Sequence, residues 1–434
     1  MSPMHVGEKI KILRLDQGLS QENVAYAIGR SVAYVSRLER GEAECDNETI
    51  AKIKKLLNIE NAPLLTGELE MYQGRIWAWN ALVTDRRIDE AKKTQETLAS
   101  ILDLPYEHEL IMLYQMIAAR ILVWEWNTSA SKELETAIEE KINAVEYFVN
   151  DASAEARILY YRNKGMLNAM RGDNKNSVKC LLKAADIKSD KLGYDTSLYA
   201  AVGNGYMAMG RYVSALKYFG YAKDIYKRDY TNPNVDVINL NIGVCYVLMK
   251  NYTEAMKILE AAFVRMRNLN THAHMIAFIA KTIGVVKCKL GDYEEGIKCF
   301  DESLAYPHNR KIEYVSLHSY KARALHALKK YDECEDLFQQ ARILAEEDDT
   351  HAVIVETFRC LTTLKDSKSI DYLESISLPF FGESHSNAQF DVLEICEALE
   401  PYYRKRGAIN KANAIAAISR DIYMEMIKGR DDLD

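Results

Sequence analysis

Residues 19–41 read LSQENVAYAIGRSVAYVSRLERG and decide how the N-terminal part of the chain folds. The run contains two short segments with helical spacing of apolar residues, separated by Gly29. Ser20 is a favourable N-cap for the first segment, and Gly29 ends it. Ser31 caps the second segment, which Gly41 ends. The run therefore predicts two short helices joined by a tight turn.

Further helices are predicted on both sides of this pair. Val6–Gln17 has helical apolar spacing and is followed by a glycine, and a fourth helix is predicted over about 47–57. We expect a five-helix domain over residues 1–62 and a short linker over residues 63–69. Two short helices with a glycine-containing turn form the unit whose second helix enters the major groove of DNA. The spacing therefore indicates a DNA-binding domain.

The run 19–41 resembles the helix-turn-helix of phage-repressor-like regulators, the XRE family. The matching marks are Ser20, Gln21, Ala25, Gly29, Val35, Leu38, Glu39 and Gly41. The resemblance implies that Gln21 contacts a phosphate and that Arg14 pairs with Glu39 inside the domain. Arg37 is the best candidate for reading a base, because a guanidinium can bond a guanine edge bidentately. The expected DNA-binding residues are Gln21, Ser31, Val32, Ala33, Tyr34 and Arg37. The alternative is a domain that has lost DNA binding and serves as a protein contact.

Charge is distributed unevenly between this domain and the rest of the chain. The formal net charge is −7, whereas residues 1–62 contain nine basic and nine acidic side chains. The remainder is therefore acidic and would be repelled by phosphate. Any DNA binding must come from a local surface of the N-terminal domain.

From residue 70 to residue 434 the sequence predicts an array of helix pairs. Aligned copies of one pattern are Gly203, Tyr206, Gly210, Tyr212, Ala215 and Phe219; Gly243, Tyr246, Lys250, Tyr252, Ala255 and Leu259; Gly284, Gly291, Tyr293, Gly296 and Phe300; and Ala322, Lys330, Tyr331, Cys334 and Phe338. This is the spacing of tetratricopeptide repeats, in which small residues let paired helices approach closely and aromatic residues fill the space between pairs. The copies recur at intervals slightly longer than the usual ~34 residues. The predicted fold is all-α: a helix-turn-helix domain followed by a tetratricopeptide-like right-handed solenoid.

The first helices of such pairs line a concave groove, and several polar positions project onto it. An asparagine amide can donate to and accept from a peptide backbone at once. Asparagine has a low helix propensity, so several asparagines on one wall suggest a binding role. Cationic residues on the same wall could hold a carboxylate terminus. The expected peptide-binding residues are Arg162, Asn163, Asn204, Asn241, Lys281, Tyr320, Arg323 and Arg359. The alternative is a solvated polar wall.

This architecture resembles the peptide-pheromone receptors of the Rap, Rgg, NprR, PlcR and PrgX group and the similar phage arbitrium receptors. The resemblance implies a transcription regulator of quorum-sensing type that binds a short oligopeptide and an operator in double-stranded DNA. It also implies a homodimer, and it matches the backbone-clamping asparagines of the group with Asn204 and Asn241. A repeat-mediated protein-interaction regulator, binding a response regulator, is the alternative.

The remaining features argue against other classes. Residues 203–208, GNGYMA, match a nucleotide-binding pattern in letters, but no strand is predicted before them. We expect no enzymatic activity, cofactor or metal. The eight cysteines are scattered, which favours a reducing compartment. The first residues lack an apolar signal core and no stretch is long enough to span a bilayer. We expect a cytoplasmic protein without a membrane partner.

Overall fold

The structure is a computed structural model. It describes residues 6–58, 66–103, 107–129, 131–187, 196–226, 234–269, 273–308, 311–345, 349–363, 367–383 and 389–427. Every regular element in these ranges is helical, so the all-α prediction is confirmed. The residues predicted as the first part of the linker, 63–65, lie outside the described ranges.

The helices are numbered in chain order. They are α1 (Val6–Asp16), α2 (Gln21–Ile28), α3 (Val32–Glu39), α4 (Asn47–Leu56), α5 (Thr66–Thr84), α6 (Ile88–Leu98), α7 (His108–Ser129), α8 (Lys132–Asn143), α9 (Ala154–Met170), α10 (Asn174–Asp186), α11 (Thr196–Ala208), α12 (Tyr212–Tyr226), α13 (Asn234–Leu248), α14 (Tyr252–Leu269), α15 (Ala273–Lys289), α16 (Tyr293–Leu304), α17 (Lys311–Ala327), α18 (Tyr331–Ala345), α19 (Asp349–Thr363), α20 (Ser367–Tyr372), α21 (Leu378–Glu383), α22 (Gln389–Lys405) and α23 (Ile409–Met426). A π-helical turn, Leu373–Ser377, joins α20 to α21.

The chain divides into two compact units. The first is drawn from Met1–Leu167 and Lys183–Gly193, and the second from Asn168–Leu182 and Tyr194–Asp434. The first unit thus contains the helix-turn-helix residues together with α5–α8. The second contains the four helix pairs from α11 to α18 and the helices that follow them.

The N-terminal helices form around one apolar cluster. Ile10, Val24, Val35, Leu38 and Ile53 are buried in it, so each of the four helices contributes at least one side chain. The observed helices agree with the predicted ones to within one residue at each end. A fifth helix would have to lie in residues 59–65, which are outside the described ranges, and α5 already begins inside the predicted linker.

The repeat pattern has a direct steric basis in the second unit. A Cβ added to Gly203 of α11 would lie 2.6 Å from the ring of Phe219 in α12, and one added to Gly284 of α15 would lie 2.7 Å from the ring of Phe300 in α16. Real Cβ atoms do not approach this closely, so glycine is required at these two helix crossings. The sequence therefore predicts the crossing points correctly.

The turn between the two helices of each pair also repeats. Gly210, Lys250, Gly291 and Lys329 occupy corresponding positions, and their φ angles are 74°, 60°, 91° and 62°. This left-handed conformation ends a helix and favours glycine. In two of the four pairs, a lysine therefore occupies the turn position in the left-handed conformation that favours glycine.

No helix within the described ranges is both long enough and apolar enough to cross a membrane.

Candidate functional sites

The second helix of the N-terminal pair, α3, is fixed at its start by a side-chain cap. The Ser31 hydroxyl accepts a hydrogen bond from the Tyr34 backbone N–H at 3.2 Å. The preceding helix has a full capping box, in which Ser20 and Asn23 bond each other's backbone N–H groups. Gly29 has a φ of 69° and closes that helix in the left-handed region. These caps hold α2 and α3 at a fixed angle across a three-residue turn.

One side of α3 is buried and the opposite side faces solvent. Val35 and Leu38 are buried, whereas Val32, Ala33 and Arg37 are exposed. We call these three exposed residues, with Ser31 and Tyr34 beside them, the recognition face. Its small and apolar members can approach base edges and thymine methyl groups, and its arginine can donate to a guanine. The tyrosine hydroxyl donates to the Glu44 carbonyl at 2.7 Å.

A buried polar network joins the first three helices. Arg14 of α1 donates through Nε to Glu39 Oε1 at 2.6 Å and through Nη2 to Glu39 Oε2 at 3.1 Å. Gln21 of α2 donates to the same carboxylate at 2.7 Å. The predicted pairing of Arg14 with Glu39 is confirmed. One amide proton of Gln21 is thus engaged inside the domain.

In the second unit the structure brings two of the predicted asparagines together. Asn204 lies on α11 and Asn241 on α13, and the Asn241 Nδ2 donates to the Asn204 Oδ1 at 3.0 Å. Asn204 is exposed and Asn241 is half-buried. The two form an amide pair on neighbouring repeats, with donor and acceptor groups left for a further partner.

A second group of predicted residues lies on α17. The Tyr320 ring is 5.0 Å from that of Phe358, and the Arg323 guanidinium lies 5.3 Å from the Phe358 ring. Arg323 Nη1 also donates to Glu394 Oε2 of α22 at 2.9 Å. Lys281 of α15 donates to the Ser316 hydroxyl at 3.3 Å. These contacts place cationic and aromatic groups on successive first helices.

The titration of two acids on α22 reflects this environment. Burial alone would raise the pKa of Glu394, but Arg323 and Lys289 outweigh it and lower that pKa. Burial and the neighbouring Glu394 raise the pKa of Asp391 to about 7, against the opposing effect of the same two cations. The two cations therefore dominate at Glu394, whereas burial and the neighbouring carboxylate dominate at Asp391.

Three predicted peptide-binding residues are placed differently from the rest. Asn163 is 1% exposed, and its Nδ2 donates to the Met116 carbonyl at 2.8 Å. It is a core residue that satisfies a backbone group, so the expectation that it faces a groove is corrected. Arg359 bonds Glu356 one turn away in its own helix. Arg162 belongs to the first unit.

Sequence reasoning missed Glu394 and Lys289. Glu394 binds Arg323 from 71 positions away and Lys289 from 105 positions away. Neither residue belongs to a motif, and a pairing over such a separation leaves no local signal.

Comparison with known proteins supports the two-part organisation. Residues 5–64 match the family model described as a helix-turn-helix domain. No curated protein sequence matches the chain.

Several solved structures share the fold. The apo form of the quorum sensor NprR from B. thuringiensis is 17% identical, with 82% of this chain and 99% of that chain covered and a TM-score of 0.64. A Rap protein complexed with competence and sporulation factor is 17% identical over 82% and 99% of the two chains, with a TM-score of 0.66. NprR in complex with its cognate peptide NprX is 17% identical over 83% and 99%, with a TM-score of 0.63. The chain therefore combines a helix-turn-helix domain with the tetratricopeptide-like fold of these receptors, as the resemblances implied.

Proposed function

We propose that this chain is a sequence-specific DNA-binding transcription regulator controlled by a short signalling peptide bound to its repeat domain. The observation that carries the proposal is the exposed recognition face of α3, whose opposite side is buried in the domain through Val35 and Leu38. The match to a helix-turn-helix domain supports it. Two structures of the same fold support the peptide part of the proposal: NprR in complex with its cognate peptide NprX, and a Rap protein complexed with competence and sporulation factor.

The recognition face would read DNA by inserting α3 into the major groove. Val32 and Ala33 offer apolar contacts to thymine methyl groups, and Arg37 offers a bidentate contact to guanine. Ser31 and Gln21 would donate to phosphates, and Tyr34 would do so in place of its bond to the Glu44 carbonyl. Such contacts fix the register of the helix without specifying sequence.

Replacing Arg37 by Ala is expected to remove base discrimination at one operator position. The full-length protein is first used to select binding sites from a random oligonucleotide pool. The variant should then lose about 1–3 kcal/mol of preference at one base pair, measured by gel shift at fixed salt.

Arg40→Ala is the matched control, because Arg40 lies one turn further along and bonds Glu42 at 2.8 Å. It should retain the base preference. Equal preference in Arg37→Ala and wild type would refute the base-reading assignment, and failure of the wild type to select any sequence would refute DNA recognition altogether.

The amide pair is the proposed backbone clamp for the peptide. Each amide can exchange its contact with the other for contacts to a peptide N–H and C=O. Lys281, Tyr320 and Arg323 on the following first helices would hold side chains or a carboxylate of the same peptide. This arrangement uses residues of the second unit alone and does not include Arg162, which belongs to the first unit.

Asn204→Ala and Asn241→Ala are each expected to weaken peptide binding by about 1–3 kcal/mol, because each removes a donor and an acceptor. A binder is first isolated from a synthetic oligopeptide pool by affinity selection, and its dissociation constant is then measured by calorimetry. Gln339→Ala is the control, since Gln339 is an exposed amide on α18 bonded to Glu335. Unchanged affinity in both asparagine variants would refute the clamp.

Regulation follows from linkage between the two sites. A peptide that favours one conformation by ~1–3 kcal/mol changes operator affinity ~5–150-fold. We also propose that the protein is a cytoplasmic homodimer with two helix-turn-helix domains, one from each subunit. The alternative is a regulator that acts by binding a response regulator through its repeats. That alternative would be favoured if the protein binds a peptide but selects no particular DNA sequence.

A further inference from the structure

The last two helices, α22 and α23, carry acidic side chains that bind cations from four consecutive helix pairs. We call these two helices the C-terminal hairpin. The ion pairs are Glu425 with Arg211, Glu397 with Lys250, and Glu394 with both Lys289 and Arg323. The pairs α11–α12, α13–α14, α15–α16 and α17–α18 thus contribute one cation each.

Much of the apolar packing of the C-terminal hairpin lies elsewhere. Val392, Ile395 and Leu399 belong to a buried cluster built from residues between Ile354 and Ile422. The hairpin therefore packs these apolar side chains on α19–α21, while its described contacts to the four preceding pairs include this series of ion pairs. Ion pairs can exchange partners, whereas interdigitated apolar side chains cannot do so without opening a cavity.

Glu394 is the central member of the series. Its side chain is only 5% exposed, and the Arg323 and Lys289 side chains are 24% and 27% exposed. Two partly desolvated cations thus share one almost fully buried carboxylate. We call Lys289 and Arg323 the cation pair.

The cation pair lines a cavity of about 320 Å³. Tyr293, Tyr320 and His326 line the same cavity, together with apolar side chains from α15 to α19. A concave site in which a few polar groups converge among apolar side chains is the usual form of a small-ligand site. The cavity is large enough for a side chain or the end of a peptide, and its cations select a carboxylate.

We propose that the cation pair is a carboxylate-binding subsite whose internal occupant is Glu394. A carboxylate entering the cavity displaces Glu394, and the C-terminal hairpin loses its central ion pairs to the repeats. Assigning the incoming carboxylate to the signalling peptide rests on the proposed function, whereas the subsite and its occupant do not. Ligand binding is thereby coupled to release of the hairpin.

Chemical rescue tests the subsite. In the full-length protein, Glu394→Ala removes the carboxylate and leaves room for a small anion. Sodium acetate is expected to raise the melting temperature of this variant by about 2 °C or more over sodium chloride at equal ionic strength. Wild type should show no such preference, and neither should Glu400→Ala, because Glu400 bonds Arg404 within α22 at 2.8 Å. An equal melting temperature of Glu394→Ala in both salts would overturn the subsite.

Cross-linking tests the release of the hairpin and does not depend on that variant's stability. A water-soluble carbodiimide activates the Glu397 carboxyl, the Lys250 amine attacks it, and an amide forms as the urea leaves. We expect this cross-link in wild type and its loss in Glu394→Gln, with the exposed Lys52–Glu48 pair of α4 as internal standard. An unchanged yield in Glu394→Gln would overturn the coupling. Neither experiment uses a peptide, so failure to find one would refute the proposed function and leave both results standing.

Discussion

Glu39→Ala is expected to destabilise the N-terminal domain by about 3–5 kcal/mol, because it leaves the Arg14 guanidinium buried without its counter-charge. The Arg14 and Glu39 side chains are 7% and 1% exposed, so water cannot replace the lost carboxylate. The Gln21 amide loses its acceptor at the same time. Since a domain is stable by only ~5–15 kcal/mol, a large part of the margin would be lost. Hydrogen exchange of α1–α3 amides in the full-length protein measures the effect.

Two further variants separate the charge effect from general damage. Glu42→Ala removes an exposed carboxylate that bonds Arg40 and should leave exchange in α1–α3 unchanged. Arg14→Met combined with Glu39→Leu should recover most of the loss, because no unpaired charge remains. Exchange in Glu39→Ala no faster than in Glu42→Ala would contradict the assigned role of the network.

The N-terminal domain was predictable because its signals are local. Ser20, Gly29 and Ser31 act within one turn of where they stand, so caps and stops can be placed from the sequence alone. The pairing of Arg14 with Glu39 spans 25 residues and was available only through the resemblance to a family. Its bond to Gln21 was not available at all, because it depends on the angle between two helices.

The repeats were predictable for a different reason. The crossing of two helices admits only the smallest residues, so Gly203 and Gly284 mark the same contact each time it recurs. Repetition converts a tertiary contact into a sequence signal. The turn residue carries less information, since lysine at 250 adopts the same left-handed conformation as glycine at 210.

The wall of the candidate site was the least predictable part. Adjacent positions on a helix differ by about 100°, so an error of one position moves a side chain from a surface to the core. Asn163 shows this: it was expected on a groove and is buried against α7. The partner of Arg323 was missed because Glu394 lies in α22, far along the chain and outside the repeat pattern.

Glu107→Ala is the second substitution expected to have a large effect. Glu107 immediately precedes α7, and its carboxylate binds the Lys9 ammonium of α1 in a salt bridge whose side chains are 8% and 4% exposed. Removing the carboxylate leaves a buried ammonium, at a cost of about 3–5 kcal/mol. Amides of α1 and of the first turn of α7 should exchange faster together, which hydrogen exchange followed by mass spectrometry resolves. Lys11→Ala is the control, because Lys11 is exposed on the same helix.

The double variant Lys9→Met with Glu107→Leu tests whether the salt bridge also affects DNA binding. It should restore slow exchange, because two apolar side chains replace a buried ion pair at little cost. Slow exchange in Glu107→Ala itself would contradict the assigned role of the salt bridge. The pair joins the helix that carries Arg14, and hence the network beneath the recognition face, to the start of α7, outside the predicted DNA-binding domain. If the double variant is as stable as wild type but its operator affinity no longer responds to peptide, the salt bridge carries part of the coupling between sensor and DNA.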